Sequence, residues 1–312
     1  MRGLVPLVFV RTGDSRSANL EAFFNEVTGL ADCVRGIVRD GRQRLPAFLL
    51  GQGWSYCGVP TGRELQPFLQ LLSLQEEPEP AVPESILLPL LNMRKPVSLR
   101  LYVTSACPQC PHVVRNFAPL PFRQPALRIQ VIDATLFPEE AGRDDVRSTP
   151  SMIWKDDVRW TGNVPMEEVL GAVSGQGELD LGAETIISMV REGEAARLAR
   201  LMLREKRLFS GLPEALVHPE FSVRLGAMVA MEEVVKSDPE LARGILPELW
   251  QWMEQVPVSV KGDIVYLVGE VGSSEWQGIL EEFLSRYPVD DDGIQELGQE
   301  ALRKISDCSS NV

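Results

Sequence analysis

The stretch Leu99–Val114, LRLYVTSACPQCPHVV, restricts the fold more than any other part of this 312-residue chain. Apolar side chains alternate at Leu99, Leu101 and Val103, and the alternation stops at Thr104-Ser105. Cys107-Pro108-Gln109-Cys110 follows directly, and apolar residues then recur at helical spacing, at Val113, Val114 and Phe117. The pattern predicts a strand feeding a helix whose first turn carries a Cys-x-x-Cys. That position suits redox chemistry. Thiolate is the reactive form of cysteine. The unpaired N–H groups and dipole of a helix N-terminus stabilise it, drawing the pKa from ~8.5 towards ~7 or lower. Two residues between the sulfurs let the second thiol resolve a mixed disulfide made by the first. Pro111 is no obstacle, because first-turn N–H groups have no intrahelical acceptor to lose. The alternative is a structural zinc site, which needs about four ligands. Only Cys33, Cys57, Cys308, His112 and His218 remain to supply the other two, so the redox reading is favoured.

Further on, Ser148-Thr149-Pro150-Ser151-Met152-Ile153-Trp154 reads as a proline opening a short apolar strand. Asp156-Asp157 makes a turn, and a second strand, Val158 to Thr161, precedes Gly162. Here the chain resembles the thioredoxin superfamily. The resemblance implies that Pro150 is a cis-proline facing the CxxC. It also implies that Thr149 and Pro150, with Pro108, hold extended substrate backbone.

Apolar content of 44% and charged content of 24% are ordinary for a soluble globular protein. The opening MRGLVPLVFV is cut short by Arg11 and Asp14 before a signal-peptide core could form. No run approaches the ~18 apolar residues needed to span a bilayer. Five cysteines in a chain of this length make no disulfide scaffold, so a cytoplasmic catalytic dithiol without membrane contact is expected. The net charge of −13 is concentrated in one region: residues 1–94 hold 9 basic and 10 acidic side chains, 95–175 hold 9 and 9, and 176–312 hold 13 and 25. That acidic final part argues against a nucleic-acid partner, which needs clustered Lys and Arg.

The first ninety residues follow a similar plan. An apolar strand, Leu4 to Val10, leads through a polar turn into a helical pattern at Leu20, Phe23, Phe24 and Val27. A strand (Cys33 to Arg39), a hairpin (Leu45 to Leu50, then Trp54 to Gly58) and a helix (Leu65 to Leu72) come next. Laid beside residues 97–173, the order repeats. Aligning Val10 with Val103 puts Asp14 and Ser17 where Cys107 and Cys110 stand, and Pro46 where Pro150 stands. Asp14 and Ser17 can cap a helix but cannot exchange disulfides.

Two such folds in tandem, the first without a redox pair, narrow the resemblance. Residues 1–175 resemble the N-terminal domain of the flavoprotein subunit of alkyl hydroperoxide reductase and, more widely, the tandem protein disulfide oxidoreductases. Asp14-Ser15 with its helix, Leu45-Pro46-Ala47-Phe48-Leu49, Gly58-Val59-Pro60-Thr61-Gly62-Arg63-Glu64 and Ser105-Ala106-Cys107-Pro108-Gln109-Cys110-Pro111 carry it. It implies electron transfer from a flavoprotein reductase to the disulfide of a peroxiredoxin, with Glu64 near the redox pair. From the residues alone Glu64 has two readings. Thr61-x-x-Glu64 is a capping box, with the carboxylate on the N-cap N–H. A buried carboxyl beside the thiols could instead tune them or relay a proton. The superfamily's more usual acid, six residues before the first cysteine, would fall at Leu101.

Residues 75–84, QEEPEPAVPE, read as a connection, followed by a short helix, Ser85 to Met93; Ser174-Gly175-Gln176-Gly177 reads as a flexible linker. A nucleotide-binding body would need Gly-x-Gly-x-x-Gly between strand and helix, and neither Gly175-x-Gly177 nor Gly269-Glu270-Val271-Gly272 supplies it. The remainder is helical, with apolar periodicity from Ile186 through Ile305. Ser222-Val223-Arg224, Ser259-Val260-Lys261 and Gly293-Ile294-Gln295 recur at 37 and 34 residues, a period that looks like HEAT-type helix pairs. Such stacks usually bind proteins.

The expected architecture is therefore α/β tandem thioredoxin folds on a mixed central sheet, followed by an all-α HEAT-like domain. The expected domains are 1–93, 94–175 and 176–312. The expected function is protein thiol–disulfide exchange without a bound cofactor or metal. Cys107 attacks, Cys110 resolves and Glu64 tunes, while Thr149, Pro150 and Pro108 hold the substrate. A separate flavoprotein reductase would donate electrons, a peroxiredoxin or another protein disulfide would accept them, and the helical part would dock a partner. The rival readings are a HEAT-repeat scaffold with a redox-sensing CxxC, and metal handling through Cys107, Cys110 and His112.

Overall fold

The computed structural model describes residues 4–77, 80–155, 157–174, 179–286 and 293–309. Residues 175–177 of the expected linker and Asp156 of the expected turn lie outside the described residues, as does Asp290-Asp291-Asp292, which the sequence marks as a helix start. The chain packs into two units, Met1–Leu179 and Asp180–Val312.

The first unit runs β1 (Val5–Arg11), α1 (Ser17–Leu30), β2 (Val34–Asp40), β3 (Ala47–Leu50), β4 (Trp54–Cys57) and, after a 3₁₀ turn at Gly62–Glu64, α2 (Leu65–Leu74). A connecting helix α3 (Glu84–Leu91) leads to β5 (Val97–Val103), α4 (Cys110–Phe117), α5 (Leu120–Arg123), β6 (Leu127–Asp133) and α6 (Pro138–Arg143). The unit ends with β7 (Ser151–Trp154), β8 (Val158–Thr161) and α7 (Met166–Val173). All eight strands join one mixed sheet in the order β2-β1-β3-β4-β6-β5-β7-β8. The half-sheets have the same plan. In each, a helix crossover gives a parallel pair and a short turn gives an antiparallel hairpin.

The halves are welded by parallel pairing of β4 with β6, from Trp54↔Ile129 to Cys57↔Ile132. Gly53 makes the junction possible. Its carbonyl accepts from Ile129 N–H at 2.8 Å, and a Cβ there would stand 2.7 Å from the Leu127 carbonyl oxygen. Alternation along the strands then sorts the two faces. Tyr56, Val131, Leu101 and Met152 lie in one row across four strands. On the opposite face, Cys57, Ile132, Tyr102 and Ile153 are covered by Phe137 and Ala141 at α6. The core of the first half is aromatic. Phe68 of α2 meets Phe48, Tyr56 and Phe23 at centroid distances of 5.5, 5.4 and 5.6 Å, all edge-on. Such pairs add about 0.5–1.5 kcal/mol each beyond buried area.

At the position matching the CxxC, the first half carries a salt-bridged turn. Asp14 accepts from the Arg16 backbone N–H and guanidinium, and Arg16 also bonds the Leu136 carbonyl at 2.8 Å and lies over the Phe137 ring. Asp14 and Ser17 therefore do not cap α1 in the expected way: its N-cap residue is Arg16, which makes no side-chain cap bond. The peptide before Pro46 is trans, whereas Thr149–Pro150 is cis.

The second unit is helical among its described residues: α8 (Ala183–Arg191), α9 (Ala195–Glu205), α10 (Leu212–Leu216), α11 (Phe221–Ser237), α12 (Pro239–Arg243), α13 (Leu246–Gln251), α14 (Val258–Val271), α15 (Ser274–Ser285) and α16 (Ile294–Ser309). Of the recurring positions, Ser222 and Ser259 fall in the first turns of α11 and α14, and Gly293 stands directly before α16. Those helices are neighbours: Arg224 pairs with Asp263 at 2.8 Å, and a Cβ on Gly269 would lie 2.8 Å from Ala301 Cα. No described helix is long and apolar enough to cross a membrane. Gly211 lies against backbone with no room for a side chain. It donates its N–H to the Leu181 carbonyl at 3.1 Å, and a Cβ there would come within 2.1 Å of the Ala183 nitrogen. Backbone cannot yield as a side-chain tip can. Gly211→Ala is expected to destabilise the helical unit by about 2–4 kcal/mol, read as a lower midpoint in urea.

Candidate active site

Cys107 and Cys110 sit where β5 hands over to α4. Cys110 opens the helix, and Pro111 occupies the first turn, where no hydrogen bond is forfeited. The Cys110 backbone N–H donates to Cys107 Sγ at 3.1 Å, so an orphan donor of the helix N-terminus points at the first sulfur. Cys107 Sγ in turn donates to the Thr149 carbonyl at 3.3 Å. Cys107 is 8% exposed and Cys110 fully buried. Burial, and then the neighbouring Cys107, push the Cys110 thiol well above its ordinary value. The pair is thus asymmetric: Cys107 keeps slight exposure and receives the helix N-terminal N–H, while Cys110 is fully buried with its thiol held protonated.

The Thr149–Pro150 segment closes over this pair. Its peptide is cis, Pro150 is buried and Thr149 half-buried, and the Thr149 hydroxyl lies 3.2 Å from that of Thr104. A groove of about 400 Å³ beside it is lined by Thr104, Thr135, Pro138, Val146, Ser148 and Thr149, among others. Pro108 and Gln109 are exposed at the rim. His112 is exposed too, its Nδ1 3.1 Å from Arg115 Nη2. Among the described residues, no three His, Cys, Asp or Glu side chains converge as a metal-ligand set.

Glu64 is only 2% exposed, in the turn that packs against α4. The capping box expected at Thr61-x-x-Glu64 does not form. Thr61 makes no side-chain cap, and Glu64 Oε2 instead accepts from the Tyr56 phenol at 3.1 Å. Oε1 is buried without a partner. Burial pushes the Glu64 carboxyl up to about 7, opposed by the Tyr56 hydrogen bond and the Arg115 charge and reinforced by Asp133. Tyr56 also feels the charge of Cys110, so phenol, carboxyl and thiol occupy one electrostatic neighbourhood. Sequence reasoning brought Glu64 to this turn but missed Tyr56, which reads as an ordinary β-strand aromatic until the sheet register is known. Thr104 and Arg115 were missed likewise. The remaining cysteines differ in kind: Cys57 is buried on the opposite sheet face and pushed up to about 12 by desolvation.

Comparison with known proteins bears on the half of the sheet that carries this site. Residues 97–174 match the family model described as thioredoxin domain, the half of the sheet that carries both cysteines and Pro150. The chain is similar to the F component of alkyl hydroperoxide reductase in Staphylococcus epidermidis, at 21% identity over 220 residues, covering 68% of this chain and 43% of that one. The Pseudomonas aeruginosa counterpart is 24% identical over 164 residues, covering 51% of this chain and 31% of that one. The chain spans less than half the length of these curated relatives. Among solved structures it is similar to the NTD_N/C domain of alkylhydroperoxide reductase AhpF from Enterococcus faecalis, with a TM-score of 0.48 and 21% identity over 55% of this chain and 90% of that one. A protein disulfide oxidoreductase from Aeropyrum pernix gives a TM-score of 0.46 and 17% identity, over 56% of this chain and 87% of that one.

Proposed function

We propose that this chain is a protein thiol–disulfide oxidoreductase working through the Cys107/Cys110 couple. The observation that carries the reading is the asymmetric pair: an outer sulfur receiving a helix N-terminal N–H at 3.1 Å, above a buried thiol. Cys107 thiolate attacks one sulfur of a substrate disulfide, forming a Cys107–substrate bond and releasing the other sulfur as a thiol. Cys110 then loses its proton and attacks Cys107 Sγ. That forms the Cys107–Cys110 disulfide and frees the second substrate thiol, so two electrons pass to the substrate. Glu64, whose carboxyl is half ionised near neutral pH, is the base that receives the Cys110 proton. Extended substrate backbone lies along Thr149, Pro150 and Pro108. Thiol exchange of this kind needs no cofactor of its own.

Similarity to the alkyl hydroperoxide reductase relatives supports a place in a chain of redox proteins. A separate flavoprotein reductase returns two electrons to the oxidised pair, and a peroxiredoxin or another protein disulfide receives them. The half without the redox pair is the structural partner that contributes Glu64. The HEAT-like reading of the helical unit is supported by the recurrence of Ser222, Ser259 and Gly293 at the starts of α11, α14 and α16. Its role in docking a partner protein is supported by Phe221, Leu225 and Val229, exposed at four-residue spacing along α11.

The reduction potential tests the function. Equilibrated against glutathione and dithiothreitol, the Cys107–Cys110 couple is expected near about −270 mV, the range of an electron donor to protein disulfides. A value of about −180 to −120 mV would instead assign it to oxidation or isomerisation. A pair that forms no disulfide at any poise would leave the scaffold reading.

A further inference from the structure

Glu64 can take a proton from the resolving thiol only if one carboxyl oxygen is held ready for it. Nothing in the turn itself does this. The Thr61 side chain makes no cap, and the residues beside Tyr56 in its row across the sheet, Phe48 and Val131, offer no polar side-chain atom. The hydrogen-bond partner of the carboxyl is the Tyr56 phenol, on Oε2; Oε1 is buried and unpaired. A buried acceptor without a donor is uncommon in native proteins, and proton transfer supplies a reason for it. Tyr56 is 1% exposed, its ring held edge-on to Phe68 at 5.4 Å, so the phenol has little freedom to turn away.

We propose that Tyr56 is a positioning residue for the resolving step: by occupying Oε2 of Glu64 it leaves Oε1 as the site that receives the Cys110 proton. This inference rests on the oxidoreductase reading above. The phenol does not touch substrate and transfers no proton. It stabilises the carboxylate form of Glu64 and fixes its rotation. The other charged or titratable groups acting on Glu64 are Arg115 on α4, which favours the carboxylate, and Asp133 at the end of β6, which opposes it. Cys110 on α4 acts on the Tyr56 phenol. Arg115 is steadied by Gln66 and His112, at 3.4 and 3.1 Å. Tyr56 and Arg115 therefore keep a buried acid ionisable near neutrality.

The test uses the reduced full-length protein, with Cys33 and Cys308 replaced by serine, mixed rapidly with 5,5′-dithiobis(2-nitrobenzoate). The first release of thionitrobenzoate reports Cys107 attack, and the second reports Cys110 resolving the mixed disulfide. In the wild-type background the second phase is expected to accelerate with pH through a midpoint near 7. Tyr56→Phe keeps the ring on Phe68 and removes only the hydroxyl. Its midpoint is expected to rise by about one pH unit, slowing the second phase about tenfold at pH 6 while leaving the first phase unchanged. Arg115→Gln is expected to move the midpoint in the same direction, which guards against a folding artefact in Tyr56→Phe. With Glu64→Gln in place, the limb disappears and Tyr56→Phe adds nothing.

If Tyr56→Phe leaves the midpoint where it was while Glu64→Gln abolishes the limb, Tyr56 is a core aromatic only. The positioning role then falls while the oxidoreductase reading stands. A limb that survives Glu64→Gln also overturns the positioning role. Absence of any second phase in the parent protein overturns the oxidoreductase reading itself.

Discussion

Cys107→Ser is expected to abolish disulfide exchange, leaving at most about one part in a thousand of the parent rate, as loss of an enzyme nucleophile does elsewhere. Thiolate is accessible near neutral pH whereas serine alkoxide is not, and an oxygen at this position cannot form the mixed disulfide. Cys110→Ser is expected to behave differently. The outer sulfur still attacks, but the mixed disulfide cannot be resolved and accumulates as a covalent adduct. Intact mass spectrometry reads both outcomes: no adduct for Cys107→Ser, and one reducible adduct per chain for Cys110→Ser. Cys57 provides an internal control, because it is fully buried and its thiol is pushed up to about 12. Full activity in Cys107→Ser would assign the chemistry to another thiol and discard the proposed site.

How much of this arrangement was legible beforehand follows from the range of the interactions involved. Local signals did well. Alternation at Leu99, Leu101 and Val103 is strand β5, the 3.6-residue spacing after Cys110 is α4, and Gly-flanked apolar runs are the β3–β4 hairpin. The pairing of β4 with β6 is the opposite case. It joins strands about seventy positions apart, and nothing in WSYC or LRIQVID names the other as neighbour. That weld carries Tyr56 towards the dithiol helix, so the polar partner of Glu64 could not be read locally. The capping-box expectation failed for a related reason. Thr61 and Glu64 have the right spacing, but burial of the carboxyl beside a fixed phenol outweighs a bond to an N–H that the turn itself satisfies. Thr61 N–H bonds the Val59 carbonyl at 2.8 Å, and Glu64 N–H bonds the Thr61 carbonyl at 3.2 Å. In the helical unit, the five-residue helices α10 and α12 are too short to show a period, so apolar periodicity names neither.

Glu64→Gln is expected to remove a pH-dependent loss of stability from the first unit. Burial raises the Glu64 carboxyl from 4.5 to about 7, so the folded state binds its proton more tightly than the unfolded state does. Between those values the folded form holds more protons, and the slope of unfolding free energy with pH is negative. Stability is therefore complete below pH 4.5, falls as pH rises through about 7 and then levels off. The shift corresponds to about 3 kcal/mol, on the order of 6–12 °C in Tm for a unit of this size. Glutamine cannot ionise and should show no such fall. Its amide leaves an N–H₂ group short of an acceptor, which costs about 1–3 kcal/mol, but that cost does not vary with pH. The informative quantity is hence the difference between parent and variant as pH changes, from urea unfolding at pH 4 to pH 8. A difference that grows by about 3 kcal/mol in favour of the variant identifies Glu64 as an acid kept buried at the expense of stability. Parallel curves would mean that the carboxyl ionises as freely in the fold as in water, and the proton-accepting role assigned to it would lose its physical basis.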